Sequence, residues 1–565
     1  MTQFRPIGLV YLLAPLLLGL ANLVQATDLE CTHEIQRAGG SYQFALEDEP
    51  APPAADELRI GEILYTRLPI FDESNPRENN AVFRWANRFH ILTQEKTVRR
   101  DLLFRSQDPY EPRLLSESAR LLRRRGHLYD AAVRPVRLCG DELDIEVITR
   151  DVWSFTPEIS FDRSGGESTH RIGIAEGNLF GTGRELSFAT TKDTDRSSNR
   201  FVYTDDNVGG GWLRTRLLYE NSDDGYHQYG LIQLPFYSLD TTHAWRFSLD
   251  KLKQEESQYF RGDEISAVRH EVEESILSYG WSRGLVNGKT QRWQVGHIFR
   301  DDHFSSATSL PAPGEFPIDK TLSYPFVSFT EIEDNYTTSF NLDQIHRTED
   351  LHLGHTFTIT LGYAATNLGS DQDRLIASGA FRDTLDYDDK SLLQHNISWQ
   401  GLWNFDTSKS EDVQASYFIR YFHSQTTHRS FYSSFSATWT HNLNSNNQII
   451  LGGLTGARAF DNRFQTGDRK MLLTLEERQY TDVHFLNLIR LGFAAFLDIG
   501  RAWEPGADDG IDDDWLADIG IGIRLASSKA NVGKIIHIDF AFPITNRNDP
   551  GVDSLQVAIN IKNSF

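Results

Sequence analysis

The sequence predicts an all-β transmembrane barrel that follows a small α+β domain. From Leu555 to the terminal Phe565, apolar residues alternate with polar or small ones, which is the period-two pattern of a strand with one apolar face. Similar segments recur from residue 153 onward, separated by loops rich in Asp, Gly, Ser and Asn. After residue 26 no stretch approaches the roughly 18 apolar residues of a spanning helix, so strands are expected to cross the membrane.

The first 26 residues have the pattern of a secretory signal peptide. Arg5 precedes an apolar run from Ile7 to Leu23, and a small-residue cleavage site ends at Ala26. Residues 27–57 are expected to form a polar linker that ends in a proline-rich stretch. An exported chain without spanning helices is either soluble outside the cytoplasm or a barrel, and the alternation favours the barrel.

The overall composition excludes one class of partner and fits the membrane. The net charge of −23 argues against nucleic acid, because phosphate binding requires Lys and Arg. Aromatic residues make up 12% of the chain, which suits the aromatic girdles of a barrel. The two cysteines, Cys31 and Cys139, either form one disulfide or remain thiols. An oxidising periplasm and their even number favour the disulfide.

Residues 58–152 differ in pattern from everything downstream. A strand, two helices and two further strands are expected in this order, near 58–67, 97–104, 112–125, 128–138 and 143–150. The second helix carries leucines on one face and ends at Gly126. This order predicts a small α+β domain with its helices on one face of a short sheet.

Residues 153–565 are expected to form the barrel wall, and their charges indicate which strand faces line the lumen. In three of the last strands the acidic residues lie opposite the apolar face, at Asp498, Asp518 and Asp539. A charge facing lipid at the bilayer centre costs up to about 2–4 kcal/mol, so these faces are expected to point inward. Five strands are clear after residue 470, and about 17 alternating segments lie upstream of it. An even total is expected.

Three segments, in their order along the chain, carry a family resemblance. They are Gly126-His127-Leu128-Tyr129-Asp130 after the second helix, Gly177-Asn178-Leu179-Phe180-Gly181-Thr182-Gly183, and the strand that ends in a terminal Phe. Together they resemble the outer-membrane assembly superfamily of bacterial surface-antigen type, which includes BamA, TamA and the two-partner secretion transporters. The resemblance spans residues 58–565 and implies a single POTRA domain, the periplasmic module of that family, at 58–152. It also implies a 16-stranded barrel, although the segment count is higher.

The same resemblance assigns roles to both ends of the barrel. It implies a glycine-rich turn near the barrel start that contains Gly177, Asn178, Phe180, Gly181 and Gly183. It also implies a barrel-end signal at Leu555, Val557, Ile559, Ile561 and Phe565, on a strand that closes a seam with the first strand. The partner strand is expected near 159–161, or near 171–176 if the earlier segment is only a connector.

Gly456-Ala457-Arg458-Ala459-Phe460 resembles the Arg-Gly-aromatic motif that this family carries on a long extracellular loop. The resemblance implies that Gly456, Arg458 and Phe460 fold into the lumen, and that Arg458 binds Glu476 and Asp498, which the periodicity places inside. The family's glycine is Ala459 here, so strain is expected at that residue if its φ is positive. Sixteen strands would make this the sixth extracellular loop, and more strands a later one. Alternatively, Arg458 is a solvated loop charge.

The resemblance implies a barrel that assists insertion, assembly or translocation of client proteins, through strand addition to the POTRA sheet and opening of the seam. Outer-membrane lipid and unfolded clients are the implied partners, with periplasmic chaperones or lipoproteins as further candidates. A Gram-negative outer membrane is the implied location, with the POTRA domain in the periplasm. A two-partner secretion pore and a plain channel or porin are the alternatives.

The sequence gives no sign of an enzyme. Nucleophile elbows, metal-spaced histidines and paired catalytic carboxylates are not found in it, so neither catalysis nor a cofactor is expected. Gly181-Thr182-Gly183 is interpreted as a turn rather than a phosphate loop. The acidic run at 508–514 could bind calcium or bridging cations, but a solvated loop is the simpler interpretation.

Overall fold

The computed structural model describes residues 31–34, 58–388, 390–506, 515–530, 534–549, 551–562 and 564–565. The predicted signal peptide, most of the predicted linker and the acidic run at 508–514 lie outside these residues. Those described form an N-terminal α+β unit and a closed β-barrel. Within them, none of the helices combines the length and the apolar character needed to cross a bilayer.

The α+β unit is a four-stranded sheet with three helices. Its elements are β1 (Cys31–Glu34), β2 (Arg59–Leu68), α1 (Ala81–Phe89), α2 (Glu95–Arg100), α3 (Pro112–Arg123), β3 (Leu128–Cys139) and β4 (Glu142–Asp151). The strand order is β1-β3-β4-β2, and β2 runs parallel to β4. Val98 of α2 and Leu115 and Leu122 of α3 are buried in the same apolar cluster as Leu143, Ile145 and Val147 of β4.

Two elements of this unit, helix α1 and strand β1, were not predicted from the sequence, and β1 lies within residues 27–57, which were expected to be a linker. Asn80 caps α1, since its side chain accepts a hydrogen bond from the backbone N–H of Phe83 at 3.0 Å. Only Ala86 is buried within the helix, whereas Val82, Trp85 and Phe89 are exposed. Val82, Trp85, Ala86 and Phe89 nevertheless have the spacing of an apolar helical stripe, so the sequence contained a signal for this helix.

Strand β1 joins the sheet from a distant part of the chain. Its register places Cys31 opposite Cys139 on β3. Cys139 is disulfide-bonded, and the described residues contain no free cysteine. This is the disulfide alternative of the two that the sequence left open.

In the part of the chain that the structure describes, 20 antiparallel strands form the barrel. Ten come first: β5 (Phe155–Ser164), β6 (Glu167–Glu176), β7 (Glu185–Lys192), β8 (Ser197–Val208), β9 (Leu213–Ser222), β10 (Tyr226–Leu234), β11 (His243–Phe260), β12 (Asp263–Val286), β13 (Lys289–Ser306) and β14 (Lys320–Glu333). A hairpin of β15 (Tyr336–Phe340) and β16 (Thr348–His352) follows outside the wall.

The remaining wall strands are interrupted by a second short hairpin. The wall continues with β17 (Thr356–Ala364), β18 (Arg374–Asp388), β19 (Ser391–Asn404), β20 (Lys409–Thr426) and β21 (Arg429–His441). The second hairpin is β22 (Ile449–Leu451) and β23 (Gln465–Gly467). The wall ends with β24 (Arg469–Phe485), β25 (Ile489–Trp503), β26 (Leu516–Ser527), β27 (Ile535–Pro543) and β28 (Gln556–Lys562).

The strand number of 16 implied by the resemblance is wrong, although the expected even total is confirmed. Twenty strands make up the wall of the described chain, and the two short hairpins lie within connections. We call the rim beside the α+β unit the domain end, and the opposite rim the far end. The connection that carries Arg458, residues 442–468, is the eighth at the far end rather than the sixth. We call it the inner loop.

The wall strands alternate in burial as the periodicity predicted. On β26, Ile519 and Ile521 are 53% and 62% exposed on the outer surface. Asp518 beside them and Asp539 on β27 are fully buried. The apolar faces therefore form the outer surface of the cylinder, and the acidic faces line its interior.

The barrel closes through β28 and β5, and this seam is sparsely paired. Within the described residues its register has one pair, Ile559 with Arg163, whereas β27 and β28 share seven. The partner strand is thus the one that contains residues 159–161, not 171–176. Among the described residues, the ladder across this seam is therefore shorter than the ladder between β27 and β28.

The side chain of Phe565 lies inside the barrel, whereas the alternation of the terminal strand had placed it on the outer apolar face. Its side chain is 3% exposed, and its ring lies 4.8 Å from that of Tyr480, which points into the lumen. The backbone N–H of Phe565 donates to the carbonyl oxygen of Asp343 at 2.8 Å. Strand β28 ends at Lys562, so the alternation does not extend to the last residue.

The seam register can be tested by disulfide crosslinking. The double variant Arg163→Cys/Ile559→Cys should form a crosslink on mild oxidation, because directly paired residues have Cβ atoms about 4.5–5.5 Å apart. The reaction would be followed by the mobility shift on non-reducing gels. Ile538→Cys/Ile559→Cys, a register pair within the β27–β28 ladder, is the matched control. A crosslink in the control alone would contradict this closure.

Candidate functional site in the barrel lumen

The inner loop turns sharply at Gly456 and Ala457 before it reaches Arg458. Gly456 has φ 109°, and a Cβ there would lie 2.2 Å from Leu472 Cδ2, so only glycine fits. Ala457 has φ 58°, whereas Ala459 is not among the residues with positive φ. The strain expected at Ala459 therefore falls on Ala457, two residues earlier.

Arg458 reaches across the lumen to three carboxylates. Its Nε lies 2.8 Å from Asp498 Oδ2, its Nη2 lies 3.3 Å from Glu476 Oε2, and its Nη1 lies 3.4 Å from Asp539 Oδ2. The guanidinium also stacks over the ring of Phe496, with its central carbon 3.5 Å from the ring centroid. The structure thus brings together the Arg458, Glu476 and Asp498 set that the resemblance assigned.

Two of the acids around the loop were not assigned as partners by the sequence analysis. Asp539 binds Arg458 directly, and Asp518 Oδ2 accepts a hydrogen bond from the backbone N–H of Ala459 at 3.3 Å. Both had been placed on the lumen side by periodicity. The signal that could have identified them was present, because acids on adjacent inward faces converge on one point in a closed wall.

Further arginines balance these acids inside the barrel. Arg478 Nε lies 2.9 Å from Glu476 Oε1, and Arg524 Nη1 lies 2.6 Å from Asp539 Oδ1. All four side chains are at most 5% exposed. Buried charges of this kind depend on one another, since removing one partner leaves the other without compensation.

Phe460 anchors the inner loop by apolar packing. It is fully buried, and its ring lies 5.4 Å from that of Phe464 in a cluster that includes Leu451, Phe496 and Leu516. The loop is therefore held by both a charge network and an apolar core.

Beyond Phe460 the inner loop contacts both strands of the seam. Asn462 Nδ2 donates to the carbonyl oxygen of Ser164, the last residue of β5, at 2.9 Å, and its backbone N–H donates to the carbonyl of Gly165 in the turn that follows. On the other side, Gln556 Nε2 of β28 donates to Asp461 Oδ1 at 2.9 Å. Two consecutive loop residues thus bridge the far ends of the two sparsely paired strands.

A second insertion, which the sequence analysis missed, lies at the domain end of the lumen. Residues 334–355, which we call the base hairpin, connect β14 to β17 and contain β15 and β16. On the lumen side, Arg478 Nη1 donates to the carbonyl of Leu342 at 3.1 Å, and Asp343 Oδ2 lies 3.0 Å from Arg420 Nη2. Ile345 packs beside Tyr480 and Phe565.

The other side of the base hairpin binds the α+β unit. Arg123 Nε of α3 donates to Asp350 Oδ2 at 2.9 Å. Thr348 Oγ1 donates to Asp130 Oδ2 at 2.8 Å, and Arg347 Nε donates to the carbonyl of Tyr129 at 3.0 Å. Asp130 and Tyr129 belong to the segment that carried the POTRA resemblance. The hairpin is therefore a direct link between this unit and the lumen.

The glycine-rich turn between β6 and β7 docks the α+β unit to the barrel rim. Asn178 is buried, and its Nδ2 donates to Thr93 Oγ1 at 2.8 Å while its Oδ1 accepts from the N–H of Gly183. Gly181 has φ 71°, and a Cβ there would meet the carbonyl oxygen of Leu92 at 2.6 Å. A Cβ at Gly177 would meet nothing closer than 3.9 Å, whereas Phe180, which is 67% exposed, has a positive φ of 55°.

A buried ion pair fixes the opposite side of this rim. Lys529, in the turn after β26, lies 2.8 Å from Glu78 Oε1, and both side chains are largely buried. Burial lowers the pKa of Lys529 to about 8, and the repulsion of Arg150 adds to this, although Glu78 opposes it. The α+β unit is thus fixed to turns on both sides of the seam.

No family model and no curated protein matches the chain. Similar solved structures include BamA from Haemophilus ducreyi lacking POTRA domains 1–3, at 12% identity and TM-score 0.36, over 89% of this chain and 84% of that one. CdiB from Acinetobacter baumannii gives 12% identity and TM-score 0.44 over 90% and 74% of the two chains. CdiB from Escherichia coli gives 12% and 0.44 over 90% and 77%. These likenesses are distant, so the proposals below depend on this chain's own contacts.

Arg458→Ala should release the inner loop. The change leaves three carboxylates without their shared cation and should weaken loop docking by about 3–5 kcal/mol. Proteinase K cleavage within residues 442–468 should become faster in the detergent-solubilised protein. Arg458→Lys should give an intermediate rate, because lysine lacks the planar fork. Arg547→Ala, at an exposed residue of the far end, is the control. Cleavage of Arg458→Ala at the wild-type rate would contradict the loop's anchoring by this arginine.

Arg123→Ala should loosen the base hairpin. Loss of its charged hydrogen bonds to Asp350 should weaken the docking of the base hairpin to the α+β unit by about 1.5–3 kcal/mol. Ion conductance in planar bilayers should increase, since the hairpin lies against the lumen wall. The exposed Arg105→Ala provides a control within the same unit. Unchanged conductance, together with unchanged trypsin cleavage of residues 334–355, would count against a closing role.

Proposed function

We propose that this chain is an outer-membrane barrel of the assembly and secretion superfamily that inserts or translocates client proteins in a Gram-negative bacterium. In this proposal the α+β unit is a single POTRA domain in the periplasm, and the far end is extracellular. The observation that carries the proposal is the inner loop, which is anchored by Arg458 and bridges the two strands of a sparsely paired seam.

The seam suits strand exchange. A closed barrel normally has no free edges, because every backbone group is paired with a neighbouring strand. Among the residues that the structure describes, β28 and β5 share one register pair, so a client strand could replace it at small cost in hydrogen bonds. Loop residues Asp461 and Asn462 would hold the two strands together until a client arrives.

The sheet of the α+β unit offers a place for the first contact with a client. Strand β2 lies at one edge of the sheet order β1-β3-β4-β2, and its first residues are covered there by backbone hydrogen bonds to residues 107–110, so the later part of the strand would receive the client. An extended segment can add to such an edge through backbone hydrogen bonds that are insensitive to sequence. The opposite edge is occupied by β1, which Cys139 and its disulfide hold in place.

A plain channel or porin is a weaker candidate for this chain. The inner loop lies within the lumen near the far end, and the base hairpin contacts the lumen wall at the domain end. A secretion pore remains the second candidate, since displacement of both insertions would open a path along the barrel axis. In both cases the free energy would come from folding and membrane insertion of the client, without a nucleotide.

The proposal is tested by deleting the gene, restoring it with variants and comparing outer-membrane proteomes. Wild type should restore barrel abundance, whereas Arg163→Cys/Ile559→Cys should fail while oxidised and recover in reductant, because the seam cannot open. Ile538→Cys/Ile559→Cys crosslinks β28 to β27 and should leave function intact.

The proteome separates the candidate functions. General loss of outer-membrane barrels on deletion would support assembly, and loss of one exported protein would support secretion. An unchanged proteome with altered membrane conductance would contradict both and favour a channel. Full activity of the oxidised seam variant would rule out opening at this seam.

A further inference from the structure

Helix α1 exposes an apolar face that the α+β unit does not use. Val82, Trp85 and Phe89 are 69%, 58% and 61% exposed, and Ile91 just beyond the helix is 54% exposed. The spacing of three and four residues places the first three on one side of the helix. The Trp85 and Phe89 rings lie 4.7 Å apart, so the face is continuous.

The position of α1 relative to the barrel is fixed by contacts on both sides of the seam. Before the helix, the carbonyl of Arg77 accepts from Asn487 Nδ2, in the turn between β24 and β25, at 2.7 Å. After it, Thr93 and Gln94 bind the turn between β6 and β7. Strands β26, β27, β28 and β5 lie between these turns, so residues 77–94 run along the domain end of the seam.

The wall beside this segment is also apolar on its outer surface. Phe155 at the start of β5 is 50% exposed, and Phe180 in the turn after β6 is 67% exposed. Gln94 Nε2 donates to the carbonyl oxygen of Phe180 at 2.7 Å, which brings that residue next to the segment after α1. The exposed face of α1 therefore continues the lipid-facing band of the barrel at its domain-end border.

The charges around this face have the sign that phospholipid headgroups attract. Arg77, Arg84 and Arg88 are exposed, and the helix itself contains no acidic residue, although the exposed Glu73 accepts a hydrogen bond from Asn87 Nδ2 at 3.0 Å. This local excess of arginine occurs in a chain of net charge −23. A helix with exposed aromatic residues on one side and arginines beside them has the pattern of helices that lie in a membrane interface.

We infer that α1 lies in the headgroup region of the bilayer beneath the seam, with Val82, Trp85 and Phe89 in the acyl boundary and its arginines on anionic phospholipid. This inference rests on the proposed membrane barrel. It anchors the α+β unit to the inner-leaflet surface next to the strands that would open. A client polypeptide is the competing occupant, but the face is convex and bordered by cations, which suits a planar anionic surface.

Depth-dependent fluorescence quenching tests the inference on the full-length protein in nanodiscs. Trp85→Cys would be labelled with an environment-sensitive fluorophore, which is specific because the described residues have no free thiol. Doxyl-labelled lipid should quench this label, whereas aqueous iodide should quench it weakly. Ser116→Cys, exposed on α3, is the matched control and should show the reverse. Ile521→Cys on the outer wall reports whether the barrel itself is inserted.

The two labels give distinguishable outcomes. Lipid quenching at residue 521 without quenching at 85 would overturn the inference and leave the barrel intact, and no quenching at 521 would overturn the membrane barrel itself. Discs with phosphatidylglycerol should give at least about twofold more lipid quenching at 85 than discs of phosphatidylcholine alone. Arg84→Gln/Arg88→Gln should remove that difference. Protection of residue 85 only on addition of an unfolded barrel protein would assign the face to clients instead of lipid.

Discussion

A network of buried charges in the lumen is the constraint on which the rest of this structure depends. Arg458, Arg478 and Arg524 lie among Glu476, Asp498 and Asp539, each too deeply buried to be stable alone. The network requires that β24, β25, β26 and β27 all turn the same set of faces inward, which fixes their register. It also requires the inner loop to stay inside, because Arg458 comes from that loop. The position of the loop at the seam follows from this.

The network extends beyond the lumen through shared partners. Arg478 binds Glu476 on one side and the Leu342 carbonyl of the base hairpin on the other. The hairpin in turn binds Arg123 of α3 through Asp350. A continuous path of hydrogen bonds and ion pairs therefore runs from the α+β unit to Glu476, which also binds Arg458. Displacing the base hairpin would remove the Leu342 carbonyl from Arg478. The same arginine neutralises Glu476, which is one of the carboxylates that anchor the inner loop through Arg458.

Much of the wall could be predicted from the sequence, because alternation with a period of two indicates which face of each strand is polar and lines the lumen. That pattern placed Asp498, Asp518 and Asp539 inside. It could not assign the last two as loop partners, since the spatial convergence of neighbouring strands depends on barrel size and shear. The predicted total of 16 strands was wrong because it came from the family resemblance, and the described part of this chain forms 20 wall strands. Helix α1 was missed because its apolar stripe extends over only nine residues, and the base hairpin was missed because short strands in a connection resemble wall strands.

The inward turn of Phe565 has a practical consequence for handling this protein. Its ring covers Gly492, where a Cβ would lie 2.6 Å from the ring, and its backbone is tied to Asp343 of the base hairpin. A polypeptide fused after Phe565 would begin in this enclosed space and compete with the hairpin for it. Purification handles and reporter fusions therefore belong in an exposed far-end connection, such as residues 405–408 between β19 and β20, and not at the carboxyl terminus.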